Sequence, residues 1–382
     1  MTFALRLSTA VLALALCAGL WLLPLFAPAD ASKQVTPRYE VDPFWPKPLP
    51  DRWVTGDIGG TCVDQNDHVF IVTRRNLTAR EMLVATASPA VIEFDREGNV
   101  VNSWGDPAIL PSTMHGCYVD HENNVWLSGN ADGIVQKYSH DGSRLLLQIG
   151  TKGQCDSPTG ACGEQTSSNS STTRLNGPAN VVVDPSNGDV YIADGYGNHR
   201  VVVFDKTGRY LRQWGSRGTG PGQFGATGGG HPHCVVLAAD GLLYVCDRPN
   251  HRIQVFDKAG NLQRILSEAG TPREATIGSA NDLVFPKDKR QTLMFTAGRA
   301  ELVWIVDRAT DMILAGFGRP GQMAGDFTTL HSLAIDSKGN LYTGETIDGG
   351  RRIQRFVPRG KIQKDDLSEP FMGYPHYHPI PN

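Results

Sequence analysis

The chain has 382 residues and a net charge of −3, and 20% of its residues are charged. It carries no basic tract, so the sequence does not indicate a nucleic-acid-binding protein. Its 42 glycines and 24 prolines are typical of one large globular domain with many tight turns.

The N-terminal segment Met1–Ala31 is predicted to be a secretory signal peptide. Arg6 gives it a positive start, Val11–Phe26 is almost wholly apolar, and Ala29 and Ala31 belong to small-residue cleavage sites. An uncleaved anchor is the alternative, because the apolar run approaches the roughly 20 residues that span a bilayer. We therefore expect a secreted or periplasmic protein with no stable membrane insertion after cleavage, in a compartment where disulfides form.

The rest of the chain divides into one repeat region, Ser32–Val357, and a C-terminal tail, Pro358–Asn382. At the start of the repeat region, the Pro-rich and aromatic Thr36–Trp53 is expected to pack on the fold as a strap and to help close it. Lys152–Thr173 is rich in Ser, Thr and Gly and predicts an inserted loop, and the Gly-rich Ser216–Gly230 predicts a second connector.

One stretch, Leu175–Gly215, shows the repeat most clearly. Its apolar runs predict four short strands, separated by turn sequences rich in Asp, Asn and Gly. The predicted strands are Asn180–Val183, Val190–Ala193, Val201–Phe204 and Tyr210–Trp214. Four strands joined by tight turns do not bury both of their faces alone, so the unit must stack on copies of itself.

The chain contains six such units with a period of roughly 50 residues, which is typical of propeller blades. The sequence therefore predicts an all-β fold, a six-bladed β-propeller. A seven-bladed ring with one degenerate blade is the main rival, but no remaining stretch is long enough to supply it. The six units are Gly60–Trp104, His115–Gly150, Leu175–Gly215, His233–Leu266, Asn281–Gly318 and His331–Val357.

Three histidines recur at one position of alternate units. His115, His233 and His331 each stand at the start of the first strand of the second, fourth and sixth units, whereas Ala179 and Asn281 stand near this position in intervening units. Alternate blades of a six-fold ring are about 120° apart, so these side chains are expected to converge on the central channel. Three imidazoles with an open fourth position predict a metal site, best suited to zinc, although other divalent metals also accept imidazole.

The loop after the second strand of a blade lies on the same face as these histidines. Three of these loops carry Arg74, Tyr196 and Arg248. A cation and arginines beside a phenol favour its phenolate form, which is a general base, and two arginines suit a carboxylate. The structural alternative is that the tyrosine packs at the rim and that the arginines are solvated or pair with Asp194 or Asp247.

Two further features of these loops are interpreted as structural. Asp194 and Asp247 recur at one repeat position and are predicted to hydrogen-bond within their blades. Arg200 and Arg252 open the third strands and are predicted to support them.

The cysteines offer several pairings. Cys155 and Cys162 bracket a short polar loop and are the best candidate disulfide. Cys234 and Cys246 would face each other across a hairpin, either as a disulfide or as small buried hydrophobes. Cys117 and Cys234 lie near two of the histidines, so thiolate ligation is a further alternative, ranked below the three-histidine site.

These motifs together resemble the peptidyl-alpha-hydroxyglycine alpha-amidating lyases, which are propellers with NHL repeats. The resemblance covers nearly the whole mature chain and is most specific in two loops and the residues around two histidines. They are Asp194-Gly195-Tyr196-x-Asn198-x-Arg200, Asp247-Arg248-x-Asn250-x-Arg252-Ile253-Gln254, Pro232-His233 and Leu330-His331.

The resemblance implies an activity and roles for the residues. The family cleaves a peptidyl alpha-hydroxyglycine into a peptide amide and glyoxylate. By resemblance, His115, His233 and His331 would hold zinc, and Tyr196 would accept the proton of the substrate hydroxyl. Arg248 and Arg74 would bind the substrate carboxylate and stabilise the developing charge.

The sequence departs from the family pattern at two positions. Ser332 stands where the family has an aspartate that helps to hold a structural calcium, so calcium is not expected from the side chains. Gly197 replaces a family cysteine, so that disulfide is absent. The copper monooxygenase that makes the family's substrate is not on this chain, which implies a separate monooxygenase or a different alpha-hydroxy-amide.

Two other functional classes remain as alternatives. One is a non-catalytic, exported propeller that binds a partner and keeps the histidines as a relic or a structural metal site. The other is a lactonase-like propeller hydrolase, but such enzymes favour acidic ligands around calcium, and the sequence shows no ring of Asp or Glu.

Overall fold

The computed structural model describes residues 36–163, 167–225, 231–267, 280–298, 301–347 and 350–362. The predicted signal peptide and most of the predicted tail lie outside these residues. The described chain is almost entirely β-strand, with three short 3-10 helices at Pro50–Arg52, Glu81–Leu83 and Arg248–Asn250. Within these ranges, no helix has the length and hydrophobicity needed to cross a bilayer.

Six four-stranded antiparallel sheets form the six blades of the predicted propeller. Blades one to three contain β3 (Ile58–Val63), β4 (Val69–Thr73), β6 (Val91–Phe94) and β7 (Val100–Trp104); β8 (Met114–Val119), β9 (Val125–Gly129), β10 (Val135–Tyr138) and β11 (Leu145–Ile149); and β12 (Pro178–Val183), β13 (Val190–Asp194), β14 (Arg200–Phe204) and β15 (Tyr210–Trp214). A short parallel pair, β2 (Trp53–Val54) and β5 (Thr86–Ala87), lies beside blade one.

Blades four to six follow the same order, except that the last blade takes one strand from the N-terminal end of the described chain. They contain β16 (Val235–Leu237), β17 (Leu243–Asp247), β18 (Arg252–Phe256) and β19 (Leu262–Ser267); β20 (Asp282–Val284), β21 (Leu293–Gly298), β22 (Leu302–Asp307) and β23 (Ile313–Phe317); and β24 (Leu330–Ile335), β25 (Leu341–Glu345), β26 (Ile353–Ile362) and β1 (Thr36–Asp42).

Pairing between β1 and β26 closes the ring. Thr36 pairs with Ile362 and Asp42 with Arg355, so the strand that opens the described chain becomes the outer edge of blade six. The strap predicted from Thr36–Trp53 therefore does close the fold, and its first part does so as a strand. Pairing with β1 also extends β26 to Ile362, five residues beyond the predicted end of the last unit.

The hydrophobic core lies between blades. Each of the six apolar clusters among the described residues joins two neighbouring blades, and together they complete the ring. The middle strands are therefore buried on both faces, as all five residues of β13 are, whereas the outer β15 is partly exposed. This explains why the middle strands are continuous apolar runs and not alternating ones.

Three disulfides are present. Cys155 bonds to Cys162 as predicted, and a Cys234–Cys246 disulfide decides between the two alternatives for that pair. The third disulfide, Cys62–Cys117, links the first strands of blades one and two and was not predicted. Thiolate ligation by Cys117 or Cys234 is excluded in this state, because both sulfurs are in disulfides.

Candidate metal centre and active site

The three repeat-position histidines meet at the channel. Their side chains are buried, and the ring centroids of His115, His233 and His331 are 4.6–5.1 Å apart. One ring nitrogen from each lies within 4.8 Å of the others, a grouping able to hold a metal ion. The first strands of alternate blades bring the residues together, as the repeat spacing predicted.

Backbone carbonyls from the intervening blades orient the rings. His115 Nδ1 lies 2.8 Å from the Ala179 carbonyl oxygen, and His233 Nδ1 contacts the carbonyl of Asn281. The corresponding carbonyl for His331 is that of Gly59, although Nδ1 of His331 has no hydrogen-bond partner of normal geometry among the described residues. An imidazole that donates its Nδ1 proton to a carbonyl presents the Nε2 lone pair, which is the arrangement found in metal-ligating histidines.

The Tyr196 hydroxyl lies within hydrogen-bonding distance of two of the three histidines. Its oxygen is 2.8 Å from His115 Nε2 and 3.1 Å from His233 Nε2. With both imidazoles protonated at Nδ1, the phenol has one proton for two acceptor nitrogens. The donor set therefore contains more lone pairs than protons, which fits a cation at this position.

The three histidines are held in the neutral form. Burial, followed by the positive charges of neighbouring groups, lowers the pKa of His115 and of His233 well below the usual range. Burial, with Arg74 and Arg248, lowers the pKa of His331 to about 3. Neutral imidazoles are the form that binds metal, so the pocket is prepared for a cation at neutral pH.

Arg248 lies over Tyr196. Its guanidinium carbon is 5.8 Å from the centroid of the phenol ring, and its Nη1 lies 3.4 Å from Oδ1 of Asn281. The carboxylate of Asp247, the partner that the structural alternative names, accepts hydrogen bonds from Arg252 Nε and Asn250 Nδ2. Arg248 is thereby directed to the histidine face.

Arg74 approaches the histidines from blade one. Its Nε donates to the Met114 carbonyl at 3.2 Å, directly before His115, and its Nη1 lies 3.7 Å from the buried Asp57 carboxylate. The positive charge of Arg74 contributes to lowering the pKa of His115 and of His331. The structural alternative paired the arginines with Asp194 or Asp247, but the carboxylate beside Arg74 is that of Asp57.

Close backbone packing fixes the loop that carries Tyr196. The His231 N–H donates to the Gly195 carbonyl at 2.8 Å, and a Cβ added to Gly195 would lie 1.9 Å from the Pro232 carbonyl oxygen. Residue 195 must therefore be glycine for this loop to reach the segment that precedes His233. This packing fixes the position of the Tyr196 phenol relative to His233.

The recurring aspartates are structural, as predicted. Asp194 accepts hydrogen bonds from the Asn176 N–H, Asn198 Nδ2 and Arg200 Nε, and it is fully buried. Asp247 accepts from Arg252 Nε in the same way. These networks hold the loops after the second strands and do not reach the imidazole nitrogens.

A cavity of about 330 Å³ occupies the channel between the first strands. The hydroxyls of Ser332 and Thr61, both in its wall, are hydrogen-bonded to each other at 2.9 Å, so Ser332 brings no carboxylate to the channel. The channel carboxylate is instead Asp282, which accepts the Leu333 N–H at 2.9 Å, and burial raises its pKa to about 7. A role for Asp282 was not predicted from the sequence.

A supporting role for Asn281 was also not predicted. The sequence identified it only as a residue that stands near the position where alternate units have histidine. Its carbonyl contacts His233, its Oδ1 faces Arg248, and its Nδ2 donates to the Leu330 carbonyl next to His331 at 2.6 Å. The signal in the sequence was its position: a polar residue occupies the place where the third unit has Ala179.

Comparison with known proteins agrees with this architecture. The family model for NHL repeats matches residues 175–204 and 230–256. The structure titled "Streptogramin B lyase structure" superposes with a TM-score of 0.52 over 84% of this chain and 98% of that chain, at 11% identity, which shows the fold alone.

Two groups of relatives match in sequence. NHL repeat-containing protein 3 of Homo sapiens is 26% identical over 84% of this chain and 84% of its own length. Peptidyl-alpha-hydroxyglycine alpha-amidating lyase 1 of Drosophila melanogaster is 26% identical over 76% of this chain and 51% of its own length. Peptidylglycine alpha-amidating monooxygenase of Rattus norvegicus is 33% identical over 37% of this chain and 13% of that longer protein. The chain is thus a six-bladed β-propeller with NHL repeats that is similar in sequence to peptidyl-alpha-hydroxyglycine alpha-amidating lyases.

Proposed function

We propose that this protein is a metal-dependent carbon–nitrogen lyase, which cleaves an alpha-hydroxy-amide bearing a carboxylate into an amide and glyoxylate. The observation that carries the proposal is the convergence of three buried, neutral imidazoles with the Tyr196 hydroxyl, at 2.8 and 3.1 Å from two of them. The similarity to the amidating lyases supports the same reaction class.

Zinc is the metal we propose for the three imidazoles, since three histidines with an open position form a known catalytic zinc set. His115, His233 and His331 would hold it, and it would supply Lewis-acid polarisation of a substrate oxygen. The neutral state of the rings and the Nδ1 contacts with backbone carbonyls support this assignment.

In the proposed reaction the carbon–nitrogen bond breaks, one proton moves from oxygen to nitrogen, and no water is consumed. Tyr196, as the phenolate, accepts the proton of the substrate hydroxyl. The electron pair of that O–H bond forms the carbonyl of glyoxylate as the carbon–nitrogen bond breaks, and the departing amide nitrogen takes up the proton that Tyr196 accepted, which restores the base. Proton transfer by a positioned side chain contributes roughly 10²–10⁴ to such a rate.

Arg248 and Arg74 are proposed to bind the carboxylate of the substrate. Their guanidinium groups approach the histidines from blades four and one, and Arg248 also lies over the Tyr196 ring. Guanidinium groups match a carboxylate with two parallel hydrogen bonds, which would orient the hydroxyl toward Tyr196.

We also propose that the protein works in a secreted or periplasmic location. Three disulfides support folding in an oxidising compartment. A separate monooxygenase would have to supply a peptidyl alpha-hydroxyglycine substrate in the same compartment.

The alternative is a binding module without catalysis. It is favoured by the match to NHL repeat-containing protein 3, which extends over more of this chain than the lyase match and whose name states a repeat and no reaction. Such a module would need neither the single proton shared between two imidazoles nor the arginines beside them.

Two measurements separate these functions. Elemental analysis of the purified mature protein should give zinc in the wild type and a loss of one equivalent in His233→Ala. An alpha-hydroxyglycine peptide should release glyoxylate with the wild type and not with His233→Ala. Bound metal without glyoxylate release from any such peptide would favour the binding module.

A further inference from the structure

A second cluster of metal-ligating side chains lies at the other end of the strands. Asp64 directly follows β3, whereas the three histidines stand at or just before the starts of the first strands, so the two clusters are on opposite faces of the ring. We propose that Asp64, Glu93 and His140 form a binding site for a divalent transition-metal ion, independent of the three-histidine centre.

The cluster contains two carboxylates and one imidazole, with a second imidazole beside it. His140 Nε2, from blade two, lies 2.9 Å from Asp64 Oδ2, and His68 Nδ1 lies 2.7 Å from Glu93 Oε1. One ligand atom each from Asp64, Glu93 and His140 lies within 4.8 Å of the others. His68 lies beside this group through its contact with Glu93.

Burial separates the two kinds of ligand. Asp64 and Glu93 are 1% and 4% exposed, whereas the side chains of His68 and His140 are 29% and 31% exposed. The negative charges therefore lie inside, and the imidazoles form the rim through which an ion would enter. Burying two adjacent carboxylates is unfavourable unless a positive charge accompanies them.

The repeat shows that blade one is unusual here. In blade two the equivalent turn aspartate is Asp120, and the residue at the position of Glu93 is Lys137, which pairs with Asp120 at 3.0 Å. The register is the same: Glu93 pairs with Phe70, and Lys137 with Trp126, each six residues after the turn aspartate. Blade six has Arg355 at this position, opposite Tyr342. Blades two and six thus have a cation at this position, blades three and four have Val203 and Val255, and blade one has a second carboxylate.

Within the described residues, no lysine or arginine side chain directly contacts the carboxylates of Asp64 and Glu93. Among the described residues, the carboxylate of Glu93 contacts the His68 imidazole, and that of Asp64 contacts the His140 imidazole. Lys287 acts on Asp64 only from a distance, together with Asp67 and Asp336. A divalent ion would neutralise both carboxylates and leave both imidazoles neutral.

The ligand set points to the class of metal. One imidazole nitrogen with two carboxylate oxygens suits zinc, cobalt, iron or manganese, whereas magnesium and calcium prefer oxygen ligands alone. Two blades contribute to the cluster, so a bound ion would clamp the interface between blades one and two on the face opposite the lyase centre.

Metal stoichiometry tests the proposal. Mature protein is freed of metal with a chelator, titrated with Co²⁺ or Zn²⁺, passed through gel filtration and analysed for bound metal. We expect Glu93→Lys, which installs the pairing seen in blade two, to hold one equivalent less than the wild type. His233→Ala should also lose one equivalent, and the double variant should lose two. The difference between wild type and Glu93→Lys measures this site even if the histidine centre binds nothing.

Glu122→Lys is the matched control. It makes the same charge change at an exposed neighbouring turn and should keep the wild-type stoichiometry. If Glu93→Lys does not fold, His140→Gln at the rim replaces it, with the same expected loss of one equivalent. Unchanged stoichiometry in the folded variant, or a loss in Glu122→Lys as large as that in Glu93→Lys, would overturn the proposal.

Discussion

Replacing Tyr196 with phenylalanine removes one oxygen atom from the point where two imidazoles meet. That oxygen lies 2.8 Å from His115 Nε2 and 3.1 Å from His233 Nε2, and the ring that carries it keeps its edge contact with His115. The three imidazoles, their Nδ1 contacts and Arg248 are unchanged. The variant therefore separates loss of the proposed base from loss of the metal centre.

The expected effects differ in size. The phenol has one proton for the two nitrogens, so folding loses one neutral hydrogen bond, about 1 kcal/mol or less. The loss of a general base lowers turnover by roughly 10²–10⁴, which corresponds to about 3–5 kcal/mol in the activation barrier. Turnover should therefore collapse in a protein that melts within a few degrees of the wild type.

The assay measures glyoxylate released from an alpha-hydroxyglycine peptide, together with the zinc content of the same sample. Tyr210→Phe is the matched control, because Tyr210 lies on the outer strand of the same blade and packs against Phe204. It should retain wild-type turnover and zinc. Tyr196→Phe should retain zinc and lose turnover.

Two outcomes would refute the reasoning. Wild-type turnover in Tyr196→Phe would remove Tyr196 from proton transfer, whatever its distance from the histidines. Loss of zinc in the same variant would show that the phenol oxygen is a ligand and that the three imidazoles do not suffice.

Three further predictions follow from single contacts. Arg248→Lys should raise KM for carboxylate substrates about tenfold or more, because an ammonium group cannot form two parallel bonds, and an equal change for a substrate lacking the carboxylate would contradict this role. Asp282→Asn should remove a pH dependence of stability. The folded-state pKa of about 7 lies above the unfolded value near 4, so the stability of the wild type should fall by at most about 4 kcal/mol as the pH rises from about 4 to about 7. Denaturant melts of the variant should lack this fall. Replacing Cys62 and Cys117 together by alanine opens a crosslink of 55 residues and should lower the unfolding free energy by up to about 4 kcal/mol; a loss under about 1 kcal/mol would show that the interblade core alone holds these strands.

Most of the fold was predictable because the sequence repeat specifies the four strands of each blade. Each unit supplies four apolar runs separated by turn residues, and the continuous apolar character of the middle strands follows from burial between blades. The closing strand was harder to place. Thr36–Asp42 joins blade six only by pairing with β26, and nothing local in a Pro-rich segment specifies a partner more than 300 residues away.

The side chains of the candidate site could be predicted from the sequence, but the groups that hold them in place could not. Alternate-blade spacing placed His115, His233 and His331 together, and the loops after the second strands brought Tyr196 and Arg248 to them. The partners of these residues are backbone carbonyls and the amide of Asn281, which carry no pattern in a single sequence. The catalytic roles and the metal stay predictions for the assays above.

By itself, the sequence determined the periodicity of this protein, and with it the angle around the ring at which each repeated side chain stands. A histidine at one position of alternate units must face the axis, because the period sets the rotation between blades. Tertiary structure alone decided which atoms from different blades touch. The carbonyls beside His115 and His233, the Cys62–Cys117 bond and the contact of Asp64 with His140 join residues at least 48 positions apart, where packing and not local sequence sets the distance.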